Sequence, residues 1–220
     1  MPLLEINIPP TLQAALGIIL IVDICLLATE RQRQCIRLLT LQGVVLGILP
    51  LFDDGAPLNW HLLVLTAIFL LIKAVALPTI LQRCHATLPQ SPPLPPYMGY
   101  NRCVLAGFLG CAFSLWLALR LPVPANPLFL VFFAPAVTTV LSGLLIIVTR
   151  RKILTQVMGY LVLENGIYLL GVPLARQNAA WLELSILLDV FVGIFVIFCG
   201  EGDVFQCQPL QACGGVFTYL

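Results

Sequence analysis

Charge is scarce in this chain. Asp, Glu, Lys and Arg make up 10% of its 220 residues while 60% are hydrophobic, where an ordinary soluble domain carries about 25% charged and roughly 45–50% apolar residues. A water-soluble globule of this length buries only about 70% of its unfolded surface, so the apolar remainder would gather into aggregating patches. Lipid is the solvent this composition requires. A net charge of +1 leaves no basic face for neutralising phosphates, which argues against a nucleic-acid partner. Metal ligands are equally thin: His61 and His85 are the two histidines, and the eight cysteines, Cys25, Cys35, Cys84, Cys103, Cys111, Cys199, Cys207 and Cys213, include no C-x2-C pair. Zinc and iron–sulfur sites cluster their ligands, so these cysteines read as small apolar residues of helix interiors. Flavin motifs and nucleotide loops are missing too, and neither a cofactor, a soluble substrate nor a catalytic centre is expected. The N-terminus has no basic start and carries Glu5 and Pro9-Pro10 ahead of the first apolar run, which speaks against a cleavable signal peptide.

What the chain does have is long apolar runs. A helix needs about 20 mainly apolar residues to cross a ~30 Å hydrocarbon core, and such windows fall at 11–29, 35–52, 59–82, 102–120, 127–149, 153–174 and 181–199. Charges or turn formers bound each one: Glu30 to Arg37, Asp53-Asp54-Gly55, Pro89 to Pro96, Arg120 to Pro127, Arg150-Arg151-Lys152 and Arg176 to Asn178. The windows are twice the ~10 residues of a barrel strand and do not alternate. The prediction is an all-α polytopic transmembrane bundle of about seven spans, with Pro78, Pro135 and Pro173 as candidate kinks. Counting from an external N-terminus puts Arg31, Arg33, Arg37, Arg83, Arg102, Arg150, Arg151 and Lys152 on one side, with Arg120 and Arg176 on the other. By the positive-inside rule the first side, and with it the C-terminus, is cytoplasmic.

Four ionisable residues fall well inside windows: Asp23, Lys73, Glu164 and Asp189. Each costs about 2.5–3.5 kcal/mol to insert, so each should face the interior and find a partner or water. A short turn at Arg176 to Asn178 makes the last two spans an antiparallel hairpin, and 1.5 Å per residue places Glu164 roughly 20 Å and Asp189 roughly 17 Å from it. At similar depth, two carboxyls in a low-dielectric site resist ionising together, which suits groups that exchange protons. Lys73 lies about 14 Å deep, beyond snorkelling reach; it is a relay member, a counter-charge for a carboxylate, or half of a static ion pair. Asp23 is closer to a span end. Glu183 favours the positive end of the last helix dipole and reads as structural. Gly159, Gly166, Gly171 and Gly193, with Asn165, give the last hairpin small and polar surfaces that permit close helix contact or room for water.

The run Arg150-Arg151-Lys152-Ile153-Leu154-Thr155-Gln156-Val157-Met158-Gly159-Tyr160-Leu161-Val162-Leu163-Glu164-Asn165-Gly166 resembles the corresponding part of the hydrogenase-4 component E family, and Leu182-Glu183-Leu184 to Leu187-Leu188-Asp189 fits it as well. With the surroundings of Lys73, Leu77 and Pro78, the resemblance covers residues 1–199. That family belongs to membrane arms of group 4 [NiFe] hydrogenases and formate hydrogenlyase complexes. The last three spans also look like the K subunit of respiratory complex I, with Glu164 where its first membrane carboxylate stands and Asp189 where its second does. The resemblance divides the chain into a three-span region with a Pro-rich cytoplasmic loop (1–100), a fourth span and external loop (101–126), the K-subunit-like region (127–199) and a tail (200–220). That tail, Gly200-Glu201-Gly202-Asp203 through Phe217-Thr218-Tyr219-Leu220, departs from the family's charged one, and no site is placed there.

The resemblance implies a non-catalytic subunit of a bacterial or archaeal cytoplasmic membrane complex, in contact with antiporter-like and other membrane subunits. It relays protons or other ions through Glu164 and Asp189, with Lys73 and Asp23 as further members. Three rivals stand beside it. A passive scaffold would tolerate neutralised carboxylates. A stand-alone transporter should show paired halves and broken helices, and no internal repeat is visible. A quinone- or haem-handling enzyme lacks axial ligand pairs.

Overall fold

The structure is a computed structural model, which describes residues 9–49, 60–87, 99–120, 127–172 and 180–201. Its elements are helices α1 (Pro10–Ala28), α2 (Gln32–Ile48), α3 (Trp60–Leu71), a π-helical turn (Ile72–Ala76), α4 (Leu77–Thr87), α5 (Tyr100–Arg120), α6 (Pro127–Thr149), α7 (Ile153–Gly171) and α8 (Ala180–Glu201). No strand occurs among the described residues. Helices alone satisfy their backbone within one segment, which apolar surroundings demand. Because α3, the π turn and α4 run on without a break, each of the seven apolar windows has one helical rod. Glu5, Asp53-Asp54, Pro89 to Pro96, Pro173, the Arg176 to Asn178 turn and the tail from 202 to 220 lie outside the described residues.

Among the described residues, five stretches are long and apolar enough to cross a membrane: Pro10–Ala28, Leu63–Ala86, Tyr100–Arg120, Val131–Thr149 and Ile153–Gly171. The second and last windows, now α2 and α8, are not among them; α2 has 17 residues. The radial distribution of polarity agrees with lipid. Ile21, Leu71, Leu119, Val148, Leu187 and Phe191 point outward, while Asp23, Gln42 and Asp189 are completely buried. A protein folded in water is arranged the other way round.

The disturbance expected at Pro78 takes the form of the π turn. Proline has no N–H for the carbonyl four residues back, and its ring presses on that carbonyl. The chain widens instead, and the Leu77 N–H donates to Ile72 O, five residues back. The Thr79 hydroxyl lies 2.8 Å from the carbonyls of both Val75 and Ala76. Pro135 sits inside α6, where the hydroxyls of Thr138 and Thr139 lie 2.8 and 2.9 Å from Ala134 O and Pro135 O.

The contacts of three side chains, Arg150, Cys35 and Cys84, fix which helix ends meet. Arg150, a boundary charge in the sequence, is in fact buried: its Nη2 donates to Leu27 O at 2.9 Å and Thr29 O at 3.2 Å, a favourable place for a cation at the C-terminus of α1. Its guanidinium also stands 4.2 Å from the Tyr100 ring centre. The Cys35 thiol approaches Thr29 O, and Cys84 approaches Val196 O. The C-terminal ends of α1 and α6 and the N-terminal ends of α2, α5 and α7 therefore gather together, and those of α4 and α8 pair beside them. The eight basic residues assigned above to one side stand at or next to these ends, and this is called the basic end below.

Among the described residues, Gly159 and Gly166 of α7, which permit close contact or room for water, make close contact with α6. A Cβ on Gly143 would fall 2.5 Å from the Leu163 amide nitrogen, and one on Gly166 would fall 2.7 Å from that of Val140. Backbone rests on backbone, as small residues allow in membranes. Gly193 of α8 instead faces Leu77 and Ile80 of α4.

Two apolar clusters form the interior. One, toward the basic end, includes Leu26, Ile36, Leu81, Met158 and Leu161. The other includes Leu16, Leu46, Phe69, Phe132 and Leu169. Between them lies a layer of buried polar side chains.

Candidate functional site

The polar layer is assembled from six elements. Lys73 enters from the π turn, and its Nζ donates to Asn165 Oδ1 of α7 at 2.6 Å. The same nitrogen stands 3.0 Å from Asp189 Oδ1 of α8 and 3.5 Å from Glu164 Oε1 of α7. All three charged side chains are at most 4% exposed. The approach to Asp189 has ion-pair distance without hydrogen-bond alignment, so neither Asp189 oxygen, nor Glu164 Oε2, has a hydrogen-bond partner among the described residues. The Ser185 hydroxyl donates to Glu164 Oε1 at 3.2 Å. Phe69 closes the site from the side of the second apolar cluster, with its ring centre 5.2 Å from Nζ and its face stacked on Tyr168 at 4.9 Å.

From Lys73 a chain of hydrogen bonds leads to Asp23. Asn165 Nδ2 donates to Gln42 Oε1 at 3.3 Å, and Gln42 Nε2 donates to Asp23 Oδ1 at 2.9 Å. The Thr139 hydroxyl takes the second oxygen, donating to Asp23 Oδ2 at 2.6 Å. Every donor in the chain points the same way, from the ammonium toward the carboxylate. The two amides are thus aligned head to tail between opposite charges, and each stabilises the charge at its own end.

The four ionisable residues singled out in the sequence therefore all enter one connected layer. The equal depth of Glu164 and Asp189 is seen directly, since both reach the same nitrogen. Lys73 stands between two carboxylates, a position that fits a relay member, a counter-charge and a static ion pair alike. Sequence reasoning missed Gln42, Thr139 and Ser185. Gln42 had a signal: it is a long amide in the middle of an apolar window, and such a group needs partners when buried. Thr139 and Ser185 had none, because a threonine or serine in a span satisfies its own helix equally well. Glu183 stands in the first turn of α8. No cluster of metal-binding side chains occurs among the described residues.

A chain whose described elements are all helical, with several membrane-length helices and Asp23, Lys73, Glu164 and Asp189 buried inside, is built as a multi-pass membrane protein. It is similar to hydrogenase-4 component E of Escherichia coli (strain K12), of Escherichia coli O157:H7 and of Shigella flexneri, each 27% identical over 137 residues. The match takes in 62% of this chain and spans 63% of the length of these curated relatives. No protein-family model matches the chain, and no solved structure matches it.

Proposed function

We propose that this chain is a non-catalytic membrane-arm subunit of a complex I-related hydrogenase or other oxidoreductase, seated by seven spans with its basic end in the cytoplasm. It relays protons through Lys73, Glu164 and Asp189, and Asp23 joins them at the far end of the amide chain. The similarity to hydrogenase-4 component E supports the setting. One observation carries the relay: a single buried ammonium lies within 3.5 Å of two carboxylates whose remaining oxygens are unpartnered among the described residues. Buried charges are expensive. Two carboxyls around one cation leave one negative charge over, which is best neutralised by carrying a proton, and a proton shared among groups this close moves between them by small displacements. Redox chemistry and the antiporter-like partners belong to the rest of the complex.

The test is redox-driven proton uptake in inverted vesicles carrying the assembled complex, comparing wild type with Glu164→Gln and Asp189→Asn. A fall of about tenfold or more, the scale of losing a positioned proton carrier, with assembly verified by pull-down, supports the relay. Unchanged uptake in the assembled variants makes the carboxylates structural and the chain a scaffold. One feature favours that second reading: α6 and α7 rest backbone on backbone, a contact suited to holding helices together.

A further inference from the structure

The two amides between Lys73 and Asp23 are not free to take either orientation. An ammonium carries three donors and no acceptor, and an ionised carboxylate only accepts. Asn165 must therefore turn its oxygen to Lys73, which leaves its Nδ2 for Gln42 Oε1, and Gln42 must then give its Nε2 to Asp23. Turning one amide alone brings donor against donor and oxygen against oxygen. At 0% and 1% exposure, Gln42 and Asn165 lie too deep for bulk water to make good that loss. Reversal of both amides together restores full pairing, but it requires a neutral amine at one end and a carboxylic acid at the other. Helix α2 also meets Lys73 directly: a Cβ on Gly43 would stand 3.0 Å from Lys73 Cβ and 3.3 Å from its Cδ. The other groups around the ammonium are Glu164 of α7, Asp189 of α8 and the Phe69 ring of α3. Those bonded to Asp23 are Gln42 of α2 and Thr139 of α6, both neutral.

We infer that the Gln42 and Asn165 amides tie the charge of Lys73 to that of Asp23, so that Gln42 and Asp23 are positioning residues that hold Lys73 as an ammonium. The inference deepens the relay reading and rests on it for its purpose. While Asp23 is ionised, Lys73 stays the fixed positive charge of the layer, and the shared proton is left to Glu164 and Asp189. Asp23 thereby acts on the relay from a distance, by fixing the direction of the amides between them.

Lys73 and Lys152 are the two lysines of the chain, which makes the charge of Lys73 directly readable. Lysine labelled with nitrogen-15 is placed in this subunit of the intact complex, with Lys152→Arg as background, and solid-state NMR distinguishes ammonium from amine as pH is raised. In Asp23→Asn the amide at position 23 pairs with Gln42 in either direction. The ratio of ammonium to amine at Lys73 is then expected to fall about tenfold at a given alkaline pH, the scale of one hydrogen bond to a charged group. Gln42→Met breaks the chain, and Asp23→Asn added to it is expected to change nothing further. An unchanged ratio in Asp23→Asn overturns the tie. So does an undiminished effect of Asp23→Asn in the Gln42→Met background, which would mean that the carboxylate acts through its field and not through the amides. Gln42→Leu answers the same question if Gln42→Met does not assemble. Neither arm reads proton uptake, so a relay disproved by Glu164→Gln leaves the tie to be judged on the lysine signal.

Discussion

Asp23 and Asp189 are the same residue type, both completely buried and both part of one polar layer, yet they are held in opposite ways. Asp23 has each oxygen occupied by a neutral donor, Gln42 on one and Thr139 on the other. Asp189 faces a full positive charge at 3.0 Å and has no hydrogen bond on either oxygen among the described residues. A carboxylate with satisfied lone pairs is fixed in place. One held mainly by a neighbouring charge keeps room to accept a proton, because protonation displaces no neutral donor. The difference separates an anchored end of the layer from a labile one, and places the labile end where α8, the π turn and α7 meet.

Substitutions can break or sharpen that contrast. The largest effect is expected from Lys73→Met, which leaves two carboxyls around an apolar side chain: stability should fall by about 3–5 kcal/mol, read by thermal unfolding of the detergent-purified complex. Adding Asp189→Asn and Glu164→Gln to it should return most of that loss, and failure to do so would mean that Lys73 matters for packing rather than charge. Next comes Gln42→Leu, which strands Asp23 Oδ1 and the Asn165 amide together and should cost about 1–3 kcal/mol at the anchored end. Asp189→Asn alone should cost clearly less than Lys73→Met, because Glu164 remains 3.5 Å from the ammonium, while slowing proton uptake; a stability loss as large as that of Lys73→Met would erase the contrast. Thr139→Val removes one hydroxyl of matching shape and is expected to cost about 0.6 kcal/mol, measured in the same melts.

Much of this was legible in the sequence, and the reasons are physical. Inserting a charge is so costly that Asp23, Lys73, Glu164 and Asp189 stood out from the apolar windows without any structure. Span positions followed from hydrocarbon thickness, and the helices begin or end within a few residues of the predicted windows. Packing direction was not legible. Gly159 and Gly166 carry no mark of the helix they face, and they turned out to meet α6 rather than α8. Arg150 could be read as a surface charge because only the fold brings the end of α1 beneath it. The amide chain was hidden for a related reason: Gln42 and Asn165 are 123 residues apart, and no local pattern joins them.

The apolar clusters on either side of the polar layer have an electrical consequence. Hydrocarbon-like regions carry most of the voltage drop across an energised membrane, and a unit charge crossing the whole of it exchanges about 2.3 kcal/mol per 100 mV. Lys73 lies near the middle of its rod, so a charge arriving there from either face crosses about half of that drop, roughly 1 kcal/mol per 100 mV. On the proposed relay, occupancy of the layer would then depend on voltage by geometry alone, and the chain would act as a charged gauge of the membrane it sits in.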